Sequence, residues 1–375
     1  MRKKLRRTNR GLLLVMALAL VLTLCAPALA LGSDTVQVTQ NKYVVRFVLC
    51  GEQVCCLAGA GASKEIIVYD LDSRAATPVT SGEGLVEIAA EGDWLVWLDR
   101  TSGNEQVYSY NLNTQEVRRL TDSRTTKEGL SISRGRAVWV DINYGRRNLH
   151  LYDLSLNKEL ALTDDDRNQY DPDISGNLVV WVEKYAGEDQ VYLYDLQSGE
   201  RKALSSTTTR KGHPRISGSL VVWEDGRSGD LDIYLYDLQK NQEQRITSSM
   251  VDEHSPDVSG SRVVFVKGAK TNYDVYLYNL DTGSQEAVAN TTLSEDRPAA
   301  DGSRVAWLEN TREYVNVMLR DYSATTPGTR PPSVTTVSVK VNGIPLAADP
   351  PARIVDNRTL VPVRSLMEAL GARVA

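Results

Sequence analysis

Between residues 34 and 322 the hydrophobic positions fall into short runs, and the runs are of two kinds. In Leu178-Val-Val-Trp-Val-Glu183 nearly every position is apolar, which predicts a strand buried on both faces. In Gln190-Val-Tyr-Leu-Tyr-Asp-Leu196, Val191 and Leu193 alternate with Tyr192 and Tyr194, the period-two pattern of a strand. Asp171-Pro-Asp-Ile-Ser175 reads as a short first strand before them, and residues 200–205 as a polar outer strand after them. Gly176-Asn177 and Gln197-Ser-Gly199 are the turn signals between.

The same phrase recurs along the chain. Ser219-Leu-Val-Val-Trp-Glu-Asp225, Asp232-Ile-Tyr-Leu-Tyr-Asp-Leu238 and Gln244-Arg-Ile-Thr247 form the next copy. Six aromatic anchors, Trp97, Trp139, Trp181, Trp223, Phe265 and Trp307, stand 42 positions apart without a slip. A fixed period of this size marks one supersecondary unit repeated. Four antiparallel strands in about 40 residues describe a propeller blade. The large flat anchor is expected to pack between neighbouring blades. Gly51-Glu-Gln-Val-Cys-Cys56 aligns with Gly92-Asp-Trp-Leu-Val-Trp97 and supplies a seventh unit, with Cys56 in the anchor position. The last unit has strands at 304–309 and 315–321 and then runs into Ser, Thr and Pro without an outer strand. Thr35-Val-Gln-Val-Thr39 matches the outer segment Ala76-Thr-Pro-Val-Thr80. The N-terminal strand is therefore expected to complete the last blade and close the ring, leaving no open sheet edge there.

Val191-Tyr-Leu-Tyr-Asp-Leu196 and Asp171-Pro-Asp-Ile-Ser-Gly176 resemble the TolB-type, WD-like propeller repeat family over residues 34–322. The resemblance implies an all-β, seven-bladed propeller of four-stranded blades. It is specific for fold and not for function. The extra domain of TolB has no counterpart before residue 34, so its envelope role is not carried over.

Residues 323–336 contain Pro327, Gly328, Pro331 and Pro332 among Ser and Thr, a semi-rigid linker. Val337-Ser-Val-Lys-Val-Asn342-Gly343 reads as a strand into a tight turn, with 344–348 as its returning partner. Arg358-Thr-Leu-Val-Pro-Val-Arg364 leads into a helix over 365–370, with Gly371 as its C′ residue. Val341-Asn-Gly343, Pro350-Pro351, residues 357–364 and Glu368-Ala-Leu-Gly-Ala372 resemble the start of a copper amine oxidase N-terminal-like domain, over 337–375. That resemblance implies a small α+β accessory module of exported bacterial proteins. Residues 333–375 hold no His and no Cys, so the module offers copper no imidazole or sulfur.

Residues 1–30 change the charge argument. A basic segment with Arg2, Lys3, Lys4, Arg6, Arg7 and Arg10, an apolar stretch over 11–24, and Ala28-Leu29-Ala30 form the pattern of a signal peptide. The apolar stretch is shorter than the ~20 residues of a spanning helix. This leader holds six of the 43 basic residues and none of the 48 acidic ones, so the rest carries a formal net charge of −11. Such a balance excludes a basic nucleic-acid footprint, and no membrane span is expected after cleavage. Cys50, Cys55 and Cys56 lie in the first unit. A Cys50–Cys55 disulfide across the Gly51-Glu52 turn is conceivable, and buried thiols are the preferred expectation.

Candidate chemistry gathers before the first strands. Tyr170-Asp171, Gly212-His213, His254-Ser255 and Asp296-Arg297 each precede a proline and are expected at the mouth of the central channel. Two imidazoles and two carboxylates around one opening are a donor set for a divalent metal, and histidines serve so in some propeller-fold polysaccharide lyases. Proline-enforced extended backbone accounts for the same residues without a metal. Tyr170, Asp171, His213, His254, Asp296 and Arg297 are thus expected to form a contact surface for an envelope or extracellular protein or glycan, with no cofactor, no metal and no catalytic residue. A metal-dependent lyase or hydrolase is the alternative. A second series, Asp99, Asp141, Glu183, Asp225 and Glu309, follows the anchors by two residues and is broken by Lys267. It reads either as an acidic rim or as acceptors for backbone and arginine donors. No nucleophile elbow, Walker loop or dinucleotide glycine loop is present.

Overall fold

A computed structural model describes residues 35–269 and 272–323, together with five short strands between 335 and 360. The leader, the linker from 324 to 334 and the expected tail helix lie outside the described residues. The described chain forms seven four-stranded antiparallel sheets. Blades 1 to 6 span residues 44–82, 85–119, 126–161, 168–203, 211–245 and 253–289. In blade 4 the strands are Asn168–Ser175, Leu178–Tyr185, Glu188–Asp195 and Arg201–Ala203. First strands of neighbouring blades lie against one another around the whole ring and line its axis.

The anchors hold the blades together as their size and flatness predict. Trp181, fully buried, packs from blade 4 onto Val138, Val140, Leu149 and Leu151 of blade 3. Trp139, Trp223, Phe265 and Trp307 make the corresponding contacts with blades 2, 4, 5 and 6. Trp97, Trp181, Trp223 and Phe265 also stack on Tyr108, Tyr192, Tyr234 and Tyr276 within their own sheets. His150 takes the tyrosine position beside Trp139 at 6.1 Å, a structural role. Cys56 serves as the small anchor of blade 1 and meets Ala306, Leu308, Val317 and Leu319 of blade 7.

Blade 7 joins the two ends of the ring. Its strands Ser294–Asp301, Arg304–Asn310 and Val315–Asp321 are completed by Thr35–Gln37 in the outer place. Val36 stands opposite Leu319. The Val38 N–H donates to the Val317 carbonyl at 2.8 Å, and the Val317 N–H donates to Thr39 Oγ1 at 2.9 Å. At the other end of the blade, Asp301 accepts the Gly51 N–H at 2.9 Å and Arg304 donates to the Gly51 carbonyl at 2.6 Å. The latch expected from the N-terminal sequence is therefore formed.

All three described cysteines are buried free thiols. Register explains why Cys50 and Cys55 do not join: Cys55 faces Val48, and Cys50 faces Gln53. Burial pushes the Cys50 thiol up to about 12 and raises those of Cys55 and Cys56 as well. In the tail, Lys340–Val341 pairs with Ile344–Pro345, as the strand-turn-strand reading requires. Thr335–Thr336, read as linker, pairs instead with Arg353–Val355.

Candidate functional site: the channel mouth

The residues flagged at the mouth lie inside the first strands, not ahead of them. The strand of blade 4 begins at Asn168, three residues before Asp171. What sets these residues apart is a β-bulge. Tyr170 faces Val182 and Asp173 faces Val180, so two residues oppose the single anchor Trp181. Blades 3, 5, 6 and 7 slip at the same place, opposite Trp139, Trp223, Phe265 and Trp307. The extra residue takes a left-handed backbone: Asp171 (φ 50°), His213 (46°), Ser255 (52°) and Arg297 (50°), with Gly129 in blade 3. A non-glycine residue held there costs about 1 kcal/mol or more and persists only where the surroundings impose it. The proline that follows fixes its own φ, and the next residue re-enters the ladder.

The bulges also join blades. Glu87 accepts the Gly129 N–H at 3.0 Å, and Glu224 accepts the Ser255 N–H at 2.6 Å. The His213 N–H lies 3.5 Å from Asp171 Oδ2. His213 Nδ1 meets the same Glu224 Oε1 at 2.8 Å. That hydrogen bond is the main reason the imidazole sits above its usual range. Burial pulls Glu224 up, but the bond to His213 and its charge hold the carboxyl below the ordinary value. His254 Nδ1 is 3.1 Å from Ser255 Oγ, and its ring meets Tyr273 edge-on. His254 Nε2 is buried without a partner.

The bulges therefore bring His213, His254, Ser255 and Asp171 into one neighbourhood around Glu224. Tyr170 turns to the cations Arg147, 4.4 Å from its ring centre, and Lys184 at 5.3 Å. Asp296 accepts the N–H of its own neighbour Arg297 at 2.6 Å. Among the described residues no three potential ligand side chains are grouped to hold a metal ion.

Sequence reasoning missed Glu224 because it closes an apolar run beside an anchor. It also missed the column two residues beyond each bulge residue, which is Ser131, Asp173, Arg215, Asp257 and Ala299 at the 42-residue spacing. Asp173 accepts from Ser131 Oγ at 2.7 Å and from the Ile216 N–H at 2.8 Å, and Asp257 accepts from the Ala300 N–H at 2.8 Å. Both residues are half-buried. Burial raises both, Asp257 to about 6, against the opposing pull of Arg215.

The acidic series after the anchors is not a rim. Asp141, Glu183 and Asp225 are buried, each directly across from a first-strand residue: Lys127, Gln169 and Lys211. Lys127 and Lys211 reach their carboxylates at 3.2 and 3.4 Å. Glu183 is met by Arg167 and Arg201. Lys267, which breaks the series, faces Glu253 at 3.3 Å. The pair is the same with its charges exchanged. In blade 7 the two positions are Glu295 and Glu309, two acids. Burial, with Asp274 and Glu309 nearby, pushes the fully buried Glu295 carboxyl from 4.5 up to about 7.

A pH dependence follows. Below about pH 4.5 this carboxyl is protonated folded or unfolded and contributes nothing. As pH rises towards 7, only the unfolded chain releases the proton freely, so stability falls; above 7 the full penalty stands. Glu295→Gln is expected to stabilise the protein by up to about 3 kcal/mol at pH 8 and by almost nothing at pH 4. Urea unfolding at both pH values checks this. Equal effects at the two pH values would contradict it.

Comparison with known proteins agrees with the fold. Residues 337–375 match the family model described as the copper amine oxidase N-terminal domain. No curated protein matches the sequence. Among solved structures, an oligogalacturonate lyase in complex with manganese is similar at 15% identity and a TM-score of 0.61, covering 78% of this chain and 95% of that one. The β-propeller domain of the Trilobed protease from Pyrococcus furiosus is similar at 11% identity and 0.60, covering 77% and 98%. That domain is described as having an open velcro topology, whereas here the strand Thr35–Gln37 closes the ring. TolB from Acinetobacter baumannii is similar at 14% identity and 0.44, covering 72% and 78%. At 15% and 11% identity the likeness to the lyase and to the protease domain is one of fold. Among the described residues no helix is long and apolar enough to cross a membrane.

Proposed function

We propose that the protein is an exported, non-catalytic binding ring of the bacterial cell envelope, which recognises a protein or glycan through its channel mouth. The observation that carries this reading is the run of left-handed bulge residues Asp171, His213, Ser255 and Arg297 in four consecutive blades. Each sets a polar side chain on the channel-lining strand of its blade, and a carboxylate of the preceding blade holds the backbone at His213 and Ser255. A surface ordered in advance loses little entropy when a partner docks. Export is supported by the leader pattern of residues 1–30.

The test is capture from envelope extract on immobilised protein, beside the double variant His213→Ala, Arg297→Ala. Both side chains are exposed; because His213 also partners the buried Glu224, the single variant Arg297→Ala, whose thermal midpoint should hold, is run beside the double one. A partner retained by the wild type and lost at least tenfold in the double variant is the expected result. Equal retention by the wild type and the double variant, or none by either, contradicts the reading.

One observation favours a second reading, an exported metal-dependent lyase or hydrolase. His254 Nε2 is buried and unpartnered beside the His213–Glu224 pair. The net charge of −11 beyond the leader opposes an anionic polysaccharide unless a metal inverts the local field. Stoichiometric Mn, Ca or Zn in purified protein, lost in His213→Ala, His254→Ala, would favour the enzyme.

A further inference from the structure

The repeat acts as its own control at the seams between blades. One place in the third strand of a blade and one in the first strand of the next recur at the 42-residue spacing. Between blades 2 and 5 these places hold Gln106 and Lys127, Asn148 and Gln169, then Gln190 and Lys211, none of them acidic. Between blades 5 and 6 they hold Asp232 and Glu253, both fully buried. Cations of the chain meet these two acids: Arg245 donates to Asp232 at 2.8 Å, and Lys267 lies 3.3 Å from Glu253.

The seam between blades 6 and 7 keeps the acids and loses both cations. The two places are Asp274 and the fully buried Glu295. At the same spacing Ala287 stands for Arg245 and Glu309 for Lys267. The carboxyls of Asp274 and Glu295 are within hydrogen-bonding reach of each other, and Glu309 adds a third negative charge nearby. Among the described residues no lysine or arginine offsets these charges. Thr291 Oγ1 donates to Glu295 Oε1, but Glu295 Oε2 is buried without a partner. Asn272 Nδ2 donates to Asp274 Oδ1 at 3.3 Å, and Asn272 Oδ1 is likewise buried without a partner. Orphaned buried oxygens of this kind are costly unless something binds them.

We infer that this seam binds a calcium ion, with the carboxylates of Asp274 and Glu295 as its charged ligands. The donors are all oxygens, which suits a hard cation. Two carboxylates rather than three charged ligands touch here. The Asn272 amide oxygen and water complete the shell, as the flexible ~6–8 oxygen coordination of calcium allows. Asp274, Asn272 and Glu309 are half-buried, so solvent reaches the seam. So modest a donor set belongs with the ~10⁻⁴–10⁻³ M calcium affinities of extracellular modules. The ion does for this seam what Arg245 and Lys267 do for the one before it.

Thermal melting of the purified protein at pH 8, in chelator and in ~5 mM calcium, tests this. Calcium is expected to raise the wild-type midpoint by at least about 2 °C, with a saturable heat of binding at one ion per chain. Glu309→Lys restores the residue of blade 6. It should melt at or above the wild type in chelator and lose the calcium response. Glu295→Gln should melt above the wild type in chelator, because a buried charge is gone, and bind calcium at least tenfold more weakly. Lys270, two residues before Asn272, lies outside the described residues, and Lys270→Ala is melted beside the others. A wild-type midpoint that calcium leaves unmoved, with no saturable heat, means that a proton between the two carboxyls suffices and overturns the proposal. A full calcium response in Glu309→Lys or Glu295→Gln places the ion elsewhere and overturns it too. So does a response confined to Lys270→Ala, which would mean that the lysine already neutralises the seam. None of these residues belongs to the bulges, so failure here leaves the binding-ring reading intact.

Discussion

Removal of residues 31–40 is expected to lower the thermal midpoint by about 10 °C and to promote aggregation. The segment contributes the strand Thr35–Gln37, the Val38 and Val317 hydrogen bonds, and the buried hydroxyl of Thr39. At about 1 kcal/mol for each net hydrogen bond, four or five bonds amount to roughly 4 kcal/mol. In a chain of this size each kilocalorie moves the midpoint by about 2–4 °C. The deletion also leaves Val315–Asp321 as an open edge, a template for pairing with another chain. Thermal scanning with light scattering reads both effects. A truncated protein that melts with the wild type would show that Asp301, Arg304 and the Cys56 contacts close the ring without the strand.

Trp181→Ala should cost about 3–5 kcal/mol, the range for truncating a fully buried aromatic. The side chain fills the seam between blades 3 and 4 and stacks on Tyr192, with ring centres 5.8 Å apart. Trp181→Phe is expected to cost much less, about 1–2 kcal/mol. Blade 6 shows why: Phe265 stands in the same place, fully buried and stacked on Tyr276. Urea unfolding of the two variants gives the comparison. Equal losses would mean that the indole does more than fill the seam.

The architecture was legible because everything that builds it repeats. A period of 42 survives any feature shared by all blades, so the anchors, the seven units and the latch could be read from spacing alone. The same property hid the bulges. A slip that recurs opposite every anchor from Trp139 to Trp307 leaves the period unchanged, and only the ladder reveals it. Lys267 looked like an exception until register set it across from Glu253. The exchange of charges within that pair is visible only when both strands are aligned. Glu224 was hidden for a different reason. It ends a run that reads as buried apolar strand, and its partners His213 and Ser255 come from two different blades.

The departures from the repeat carry the functional information. His213, His254 and Arg297 were visible as polar residues before prolines. Their organisation by left-handed backbone and by Glu224 was not, because it depends on contacts 11, 31 and 42 residues apart in sequence.

Circular closure by the two ends of the chain is most directly tested by amide hydrogen exchange. In the intact protein the amides of Val36 and Val38 should be protected to the same degree as those of Val315–Asp321, and deleting residues 31–40 should strip protection from that strand. Free exchange of residues 35–39 in the intact protein, or an unaltered Val315–Asp321 in the truncated one, would contradict the closed ring.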